Sequence, residues 1–332
     1  MHTKAHECFR AIRVYSCALV AFLSGCSRYT DFALPPPETG GLRPPFRWEA
    51  LPDPVLSGSV DTLNPSVIRF RGAYLNLYSE YDGRIWHTAM ASSKDGVHWE
   101  KRSRVLSPEG WEGHYIAANG SALAVDDRIF YWYQAGEPPR IALARSPDGH
   151  TWTKDPQPVL PTGPRGSFDE RGASDPYVIR ADDWFYLFYT GLDRARRQRL
   201  GIARSKDGVD WTKLRSNPIL EIGAPGAFDE NGLGEPAVWS SAGLWWMLYT
   251  GRALGEQRRI GLAKSSDGVH WHRDPAFKPI AGDRPWDREV VCDPTVEIVP
   301  GEIRVWFGGG DIPSPDQNLH GQIGVGFLRG SE

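Results

Sequence analysis

Past the first twenty-five positions, aromatic and β-branched residues alternate with polar ones in short runs, and no helical period of apolar residues is sustained. Such alternation predicts half-buried strands. The runs come in fours. In one group they read YVIR (177–180), WFYLFYT (184–190), LGIARS (200–205) and the segment around Trp211. Turn signals separate them: Asp126-Asp127, Ala181-Asp182-Asp183, Ser241-Ala242-Gly243 and Pro300-Gly301 punctuate the first hairpins. A later turn in each group is an Asp-Gly pair, whose glycine supplies the positive φ of a tight reversal.

That pair belongs to a phrase written four times: ASSKDGVHW (91–99), ARSPDGHTW (144–152), ARSKDGVDW (203–211) and AKSSDGVHW (263–271), with a period of 53 to 60 residues. A period this long marks repeated supersecondary units. Used as a ruler, the phrase locates a second register of polar heads, each opening a strand: LNPSVIRF (63–70), ANGSALAV (118–125), SDPYVIR (174–180), GEPAVW (234–239) and CDPTVEIV (292–299). The aligned positions are Asn64, Asn119 or Gly120, Asp175, Glu235 and Asp293. Five units of four strands predict an all-β fold, a five-bladed propeller. The fifth unit lacks a fourth strand, while WEALPDPVL (48–56) has the pattern of one and follows no unit of its own. Residues 46–56 are therefore expected to close the ring.

Tracing one blade places the heads on one face, here the top, and the Asp-Gly turns on the opposite face. Interblade links also fall on top, with a rhythm of their own: Trp111-Glu112, Phe168-Asp169-Glu170, Phe228-Asp229-Glu230 and Trp286-Asp287. Their repetition reads as loop anchoring, and Trp111 and Trp286 are further candidates for stacking on a ligand. The returning top loops are basic, with Arg140, Arg194, Arg196, Arg197, Arg199, Arg258 and Arg259, and guanidinium groups suit an anionic ligand. Three carboxylates converge on the axis: Asp175, Glu235 and Asp293. Clustered carboxylates raise one another's proton affinity, so one can stay protonated near neutral pH, which acid-assisted cleavage of a glycosidic bond requires.

A net charge of −3 gives no footprint for nucleic acid. Residues 1–25 begin with Lys4, Arg10 and Arg13 and continue into VYSCALVAFL (14–23), too short to span a bilayer and typical of a signal peptide. Leu23-Ser24-Gly25-Cys26 resembles a bacterial lipobox, which implies lipidation of Cys26 and a lipid-anchored place in the cell envelope, at the outer membrane or the periplasmic face. Residues 26–45 then read as the lipidated cysteine and a proline-rich tether, with the propeller occupying 46–332. With Cys8 and Cys17 in the signal, only Cys292 remains, so no disulfide is expected. No metal-ligand spacing stands out; His114 and His320 fall on top loops as solvated residues, and no cofactor is predicted beyond room for a structural calcium in the axial channel. A monomer is expected.

The head register resembles the arabinanase, levansucrase and invertase superfamily of five-bladed propellers, which includes glycoside hydrolase families 43, 62 and 32, over essentially all of 46–328. The resemblance implies that Asp175-Pro176 supplies a modulator or transition-state stabiliser and Glu235-Pro236 the general acid. It also implies an aspartate base or nucleophile in blade one, where this chain has Asn64. Asp61, Asp293 and Glu80 are the candidates to replace it. Family 130, the mannoside phosphorylases, is a second resemblance: its first blade also begins Asn-Pro and phosphate is the attacking group, although its Asp-Pro-Arg acid motif meets Asn119-Gly120-Ser121 here. The sequence thus implies a glycoside-acting enzyme on an oligo- or polysaccharide, with Glu235, Asp175, Asp293 and Asp61 as catalytic candidates. Asn64, Asn119, Arg196, Arg197, Arg258, Trp111 and Trp286 are the candidates for holding sugar. The alternatives are a glycan-binding propeller without catalysis and a phosphorylase.

Overall fold

The computed structural model describes residues 28–58 and 60–331; the signal segment and Cys26 lie outside them. Five antiparallel blades surround an axis. Blade one is Asp61–Phe70, Ala73–Tyr81, Trp86–Ser93 and Trp99–Leu106. Blade two is Ala117–Val125, Arg128–Ala135, Arg140–Ser146 and Thr153–Lys154. Blades three and four repeat this with Gly172–Ala181, Trp184–Leu192, Gln198–Ser205 and Thr212–Leu214, then Gly232–Ser241, Leu244–Arg252, Arg258–Ser265 and His272–Arg273. Blade five runs Val290–Val299, Glu302–Gly310 and Gln322–Ser331, and its outer strand comes from the N-terminal side, Arg43–Ala50. Leu56–Ser57 then pairs back onto Gln322 and Ile323. The ring closes as the orphan segment predicts, over a somewhat longer stretch. The core lies between blade faces, where the second-strand residues Trp132, Trp246 and Trp306 are almost wholly buried.

The repeated phrase is a structural clamp on the bottom face. In each copy the aspartate Oδ1 accepts the N–H groups two and three residues on, as Asp207 does from Val209 and Asp210 at 2.9 Å each. The serine Oγ accepts the aspartate and glycine N–H groups, for example Ser205 from Gly208 at 2.9 Å. The glycine then serves two blades. Gly208 O accepts Nε1 of its own Trp211 at 3.1 Å and of Trp132 in blade two at 2.7 Å; Gly96 O accepts Trp306 Nε1 at 2.7 Å across the blade-five seam. With φ at +75° and a would-be Cβ 2.7 Å from Trp132 Cζ2, Gly208 is both conformationally and sterically fixed. Gly208→Ala should therefore cost about 2–4 kcal/mol, left-handed strain plus overpacking, read as a lowered midpoint in denaturant at unchanged slope.

Residues 28–42 differ from the expected tether, and 43–45 already belong to the outer strand of blade five. Residues 28–42 form a strap that packs along the lower edge of the ring. Tyr29–Thr30 pairs in parallel with Lys213 and Leu214 of blade three. Leu34 is 6% exposed in the core between blades three and four, and its N–H donates to Asp267 O at 2.9 Å. Glu38 O and Gly40 O accept the Gly243 and Ala242 N–H groups of blade four, both at 2.7 Å, and Leu42 O accepts Ser241 Oγ at 2.7 Å. Proline suits this route because such a segment offers carbonyls and needs few donors. The alternation that marks the blades is absent from this stretch: Phe32 and Leu34 stand alone, and the next apolar anchor, Leu42, lies eight residues on.

Candidate functional site

Each head sits at an irregularity of its inner strand: the pairing register slips between Leu63 and Ser66, Ala118 and Ser121, Ser174 and Tyr177, Gly234 and Ala237, and Cys292 and Thr295. The aligned residue takes the left-handed conformation in all five blades, with φ of 49° at Asn64, 51° at Asn119, 48° at Asp175, 49° at Glu235 and 54° at Asp293. This settles the second head on Asn119. Non-glycine residues hold this conformation only when the surrounding structure fixes it, and such strain gathers at functional sites. The bulge turns the five side chains toward the axis, and the prolines that follow four of them lose no ladder bond, because a bulge leaves a residue unpaired. In blade two Gly120 follows instead, with no room for a Cβ, which would lie 2.4 Å from Tyr131 Cζ.

Together the heads line a narrow axial cavity of about 30 Å³, space for a water or one inserted hydroxyl rather than a whole sugar ring. Asp293 is 5% exposed, and its Oδ2 accepts the Asn64 N–H at 3.1 Å and the Cys292 thiol at 3.1 Å. Glu235, Cys292 and Asp293 present donor atoms within 4.8 Å of one another. Burial and then the neighbouring Glu235 charge push the Asp293 carboxyl well above the usual range. Asp175 accepts Ser174 Oγ at 3.0 Å and lies 3.5 Å from Asn119 Nδ2. Burial first, then Glu235, raises Asp175 from an ordinary 3.8 to about 6. Glu235 Oε2 is buried without a hydrogen-bond partner among the described residues.

The Glu235, Cys292 and Asp293 triplet has donor types that a metal can use, but the guanidinium of Arg258 lies beside all three. Burial, followed by the Asp293 charge, also pushes the Cys292 thiol well up, whereas a metal needs the thiolate. The cluster's chemistry suits a proton better than a cation.

Several sequence candidates lie elsewhere. Asp61 is wholly buried as a loop anchor: its carboxylate accepts N–H groups from Asn318 at 2.5 Å, Leu319 at 3.0 Å and Gly321 at 2.8 Å. It does not line the cavity and has no free oxygen to serve as a base there. Glu80 is bound to Arg104 at 2.6 Å. Trp286 stacks on Phe307 at 5.8 Å, seats over Gly309 and Gly324, and donates Nε1 to Pro52 O at 2.9 Å; Trp111 packs against the blade-two core with Arg140 over its ring at 5.1 Å. Both tryptophans are interblade wedges, like Phe168 over Gly191 and Gly201, and neither forms a platform at the cavity. Among the basic loops, Arg197 and Arg199 bind Asp193, and Arg194 binds Glu170. Arg196 is exposed at a loop tip outside the cavity lining. Arg258, read as a rim residue, is 5% exposed beneath the top surface and donates Nη2 to Ser314 O and Pro315 O. His320 pairs with Asp311 at 2.8 Å, and His114 is exposed. Three of the seven rim arginines, Arg194, Arg197 and Arg199, are thus taken by neighbouring carboxylates, and Arg258 is buried.

The link carboxylates are anchors, as their repetition suggests. Asp169 is 1% exposed and takes Tyr189 OH at 2.9 Å and Lys213 Nζ at 2.5 Å, and Asp229 takes Tyr249 OH at 3.1 Å and Arg273 Nε at 2.7 Å. Glu112 binds Tyr133 and Lys154 in the same way. Each clasp ties the incoming link to the outer strand of its blade. Lys213→Met should destabilise by about 3–5 kcal/mol, because it leaves Asp169 buried without its counter-charge; equilibrium unfolding of the variant at pH 7 measures it.

The sequence matches the profile of the glycosyl hydrolases family 32 N-terminal domain over residues 66–187 and 142–286, together spanning 66–286. It is 27% identical over 231 residues to an uncharacterized protein of Mycobacterium tuberculosis, covering 63% of this chain and 75% of that one. Among solved structures, one described as a glycoside hydrolase superposes with a TM-score of 0.68 at 19% identity, over 86% of this chain and 92% of that one. Another, described among family-130 mannoside phosphorylases that contain glycoside hydrolases targeting β-1,2 mannosidic linkages in Candida mannan, gives a TM-score of 0.66 at 17% identity, over 90% and 96%. These likenesses establish a shared five-bladed propeller architecture.

Proposed function

Since this chain belongs to the family described as the N-terminal domain of family 32 glycosyl hydrolases, we propose that it is a glycoside-acting enzyme whose general acid is Glu235, sharing its proton with Asp293. The single observation that carries this reading is the approach of the half-buried Glu235 to the buried Asp293, their carboxyl oxygens within 4.8 Å at the axial cavity. Carboxyl groups this close raise one another's proton affinity, and on this reading the pair holds a proton beside the place where a leaving oxygen would enter. Their separation is shorter than the ~5–5.5 Å of carboxylates that flank a sugar ring; the pair acts from one side of the scissile bond. Asp175, across the cavity in blade three, is ionised above pH 6 and stabilises the positive charge that develops on the ring. Asn64 serves as a hydrogen-bonding residue, since an amide neither takes up a proton usefully nor forms a glycosyl ester. The attacking group is then water or phosphate from solution. By the lipobox resemblance, the mature protein carries lipid on Cys26 and works at the bacterial cell envelope.

Purified protein incubated with aryl glycosides and microbial or plant oligosaccharides, with and without phosphate, tests the reading. Free sugar in the absence of phosphate marks a hydrolase, and sugar phosphate marks a phosphorylase. Calorimetric binding with no product over long incubation would overturn catalysis in favour of a glycan-binding propeller.

A further inference from the structure

The strap has a consequence for how the molecule meets a membrane, and it rests on the proposed lipidation of Cys26. The strand carrying Arg28, Tyr29 and Thr30 runs parallel to Thr212–Leu214 at the outer edge of blade three, with Lys213 N–H donating to Arg28 O at 2.8 Å and Arg215 N–H to Thr30 O at 3.0 Å. Thr212–Leu214 leaves the Asp207-Gly208 turn on the bottom face and climbs toward the top. Followed backward from Thr30, the chain therefore descends toward the bottom face, and Arg28 is already fixed by a ladder bond. Only two residue steps separate Arg28 from Cys26, a reach of at most ~7 Å. A free tether of twenty residues would let the propeller tumble; this span does not. The five heads open toward the opposite face; in blade three Asp175 lies seven residue steps above the lower hairpin at Asp182, ~20 Å at ~3.3 Å per residue.

We propose that the lipidated protein rests on the bilayer by the lower edge of blades three and four, strap included, with the axial cavity facing away from the lipid. The occupant of that edge is a phospholipid surface, brought there by the covalent anchor and held in orientation by the shortness of the link. A substrate would accordingly approach from the aqueous side, as a polymer or oligosaccharide not embedded in the membrane.

The full-length protein, matured in a lipidating bacterial host and reconstituted into phosphatidylethanolamine–phosphatidylglycerol vesicles, provides the test. Cys292 is wholly buried, so single reporter cysteines can be labelled with a fluorophore and quenched by spin-labelled lipid. Thr39→Cys on the strap and Asp183→Cys in the lower hairpin of blade three report the bottom; Ala195→Cys and Leu254→Cys, on exposed top loops of the same blades, report the top. Several-fold stronger quenching at 39 and 183 than at 195 and 254 is expected. Inserting a long glycine–serine linker between residues 27 and 28 should abolish that contrast while leaving lipidation intact. Equal quenching at all four positions before insertion, or stronger quenching on top, overturns the proposed orientation. Mass spectrometry of the mature N-terminus, run on the same samples, isolates the other failure: an N-terminus without lipid on Cys26 overturns the anchor itself.

Discussion

Glu235→Gln should lower turnover of a glycoside with a poor leaving group by ~10²–10⁴-fold, the usual share of general acid catalysis, with KM little changed. Glutamine keeps the volume and the hydrogen-bonding shape of the side chain, so the left-handed head at φ 49° and the cavity lining remain. What is lost is the proton. The effect should shrink for an aryl glycoside whose leaving group departs without protonation, a dependence that a merely structural role for Glu235 would not produce. Because Glu235 also raises Asp293, the same variant should lower the Asp293 carboxyl, so the residual activity should lose its high-pH limb. Turnover on both substrate types that survives the substitution unchanged removes Glu235 from the mechanism.

Asp175→Asn should have opposite effects on activity and stability. Asp175 rises from 3.8 to about 6 on folding, so the folded chain binds this proton more tightly than the unfolded one. Its contribution to stability is fully present below pH 3.8 and is lost as pH rises through 6. At pH 8 the wild-type protein therefore bears the cost of a buried, ionised carboxylate, which asparagine removes. The variant should gain on the order of 1–3 kcal/mol relative to wild type between pH 4 and pH 8, measured by denaturant unfolding at both values. Its turnover should fall, since the neutral amide no longer stabilises developing positive charge, and the low-pH limb near pH 6 that wild type shows should be absent from its pH–rate profile. A stability difference that does not change with pH would contradict the proton affinity assigned to Asp175. Residues under strain for function commonly show this exchange of stability for activity.

Much of the architecture was legible because repetition multiplies weak local signals. One S-x-D-G turn says little, but four at a near-constant period give a register, and the register locates heads that no single motif would reveal. Ring closure was legible for the same reason: WEALPDPVL is a fourth strand without a blade, and blade five is a blade without a fourth strand. The strap was not legible, because its anchors are a few apolar side chains and backbone carbonyls with no period. Trp111 and Trp286 were ambiguous in sequence, since an indole that wedges between blades and one that stacks on a sugar are the same residue. The glycines opposite Trp286 were the available sign, and only pairing of strands two and three shows that Gly309 and Gly324 face one ring.

By itself, then, the sequence determined the number of blades, the closure and four of the five residues that face the axis, because these follow from spacing along one chain; the second head, Asn119 rather than Gly120, needed the backbone conformation. Which carboxylate does what was decided only by tertiary structure. Asp61 and Asp293 are equally acidic in sequence, yet three backbone N–H groups from a loop more than 250 residues away engage one, while burial and the neighbouring Glu235 raise the proton affinity of the other. Proton affinity depends on distance, solvent exclusion and neighbouring charge, and those are set by which blades meet at the axis.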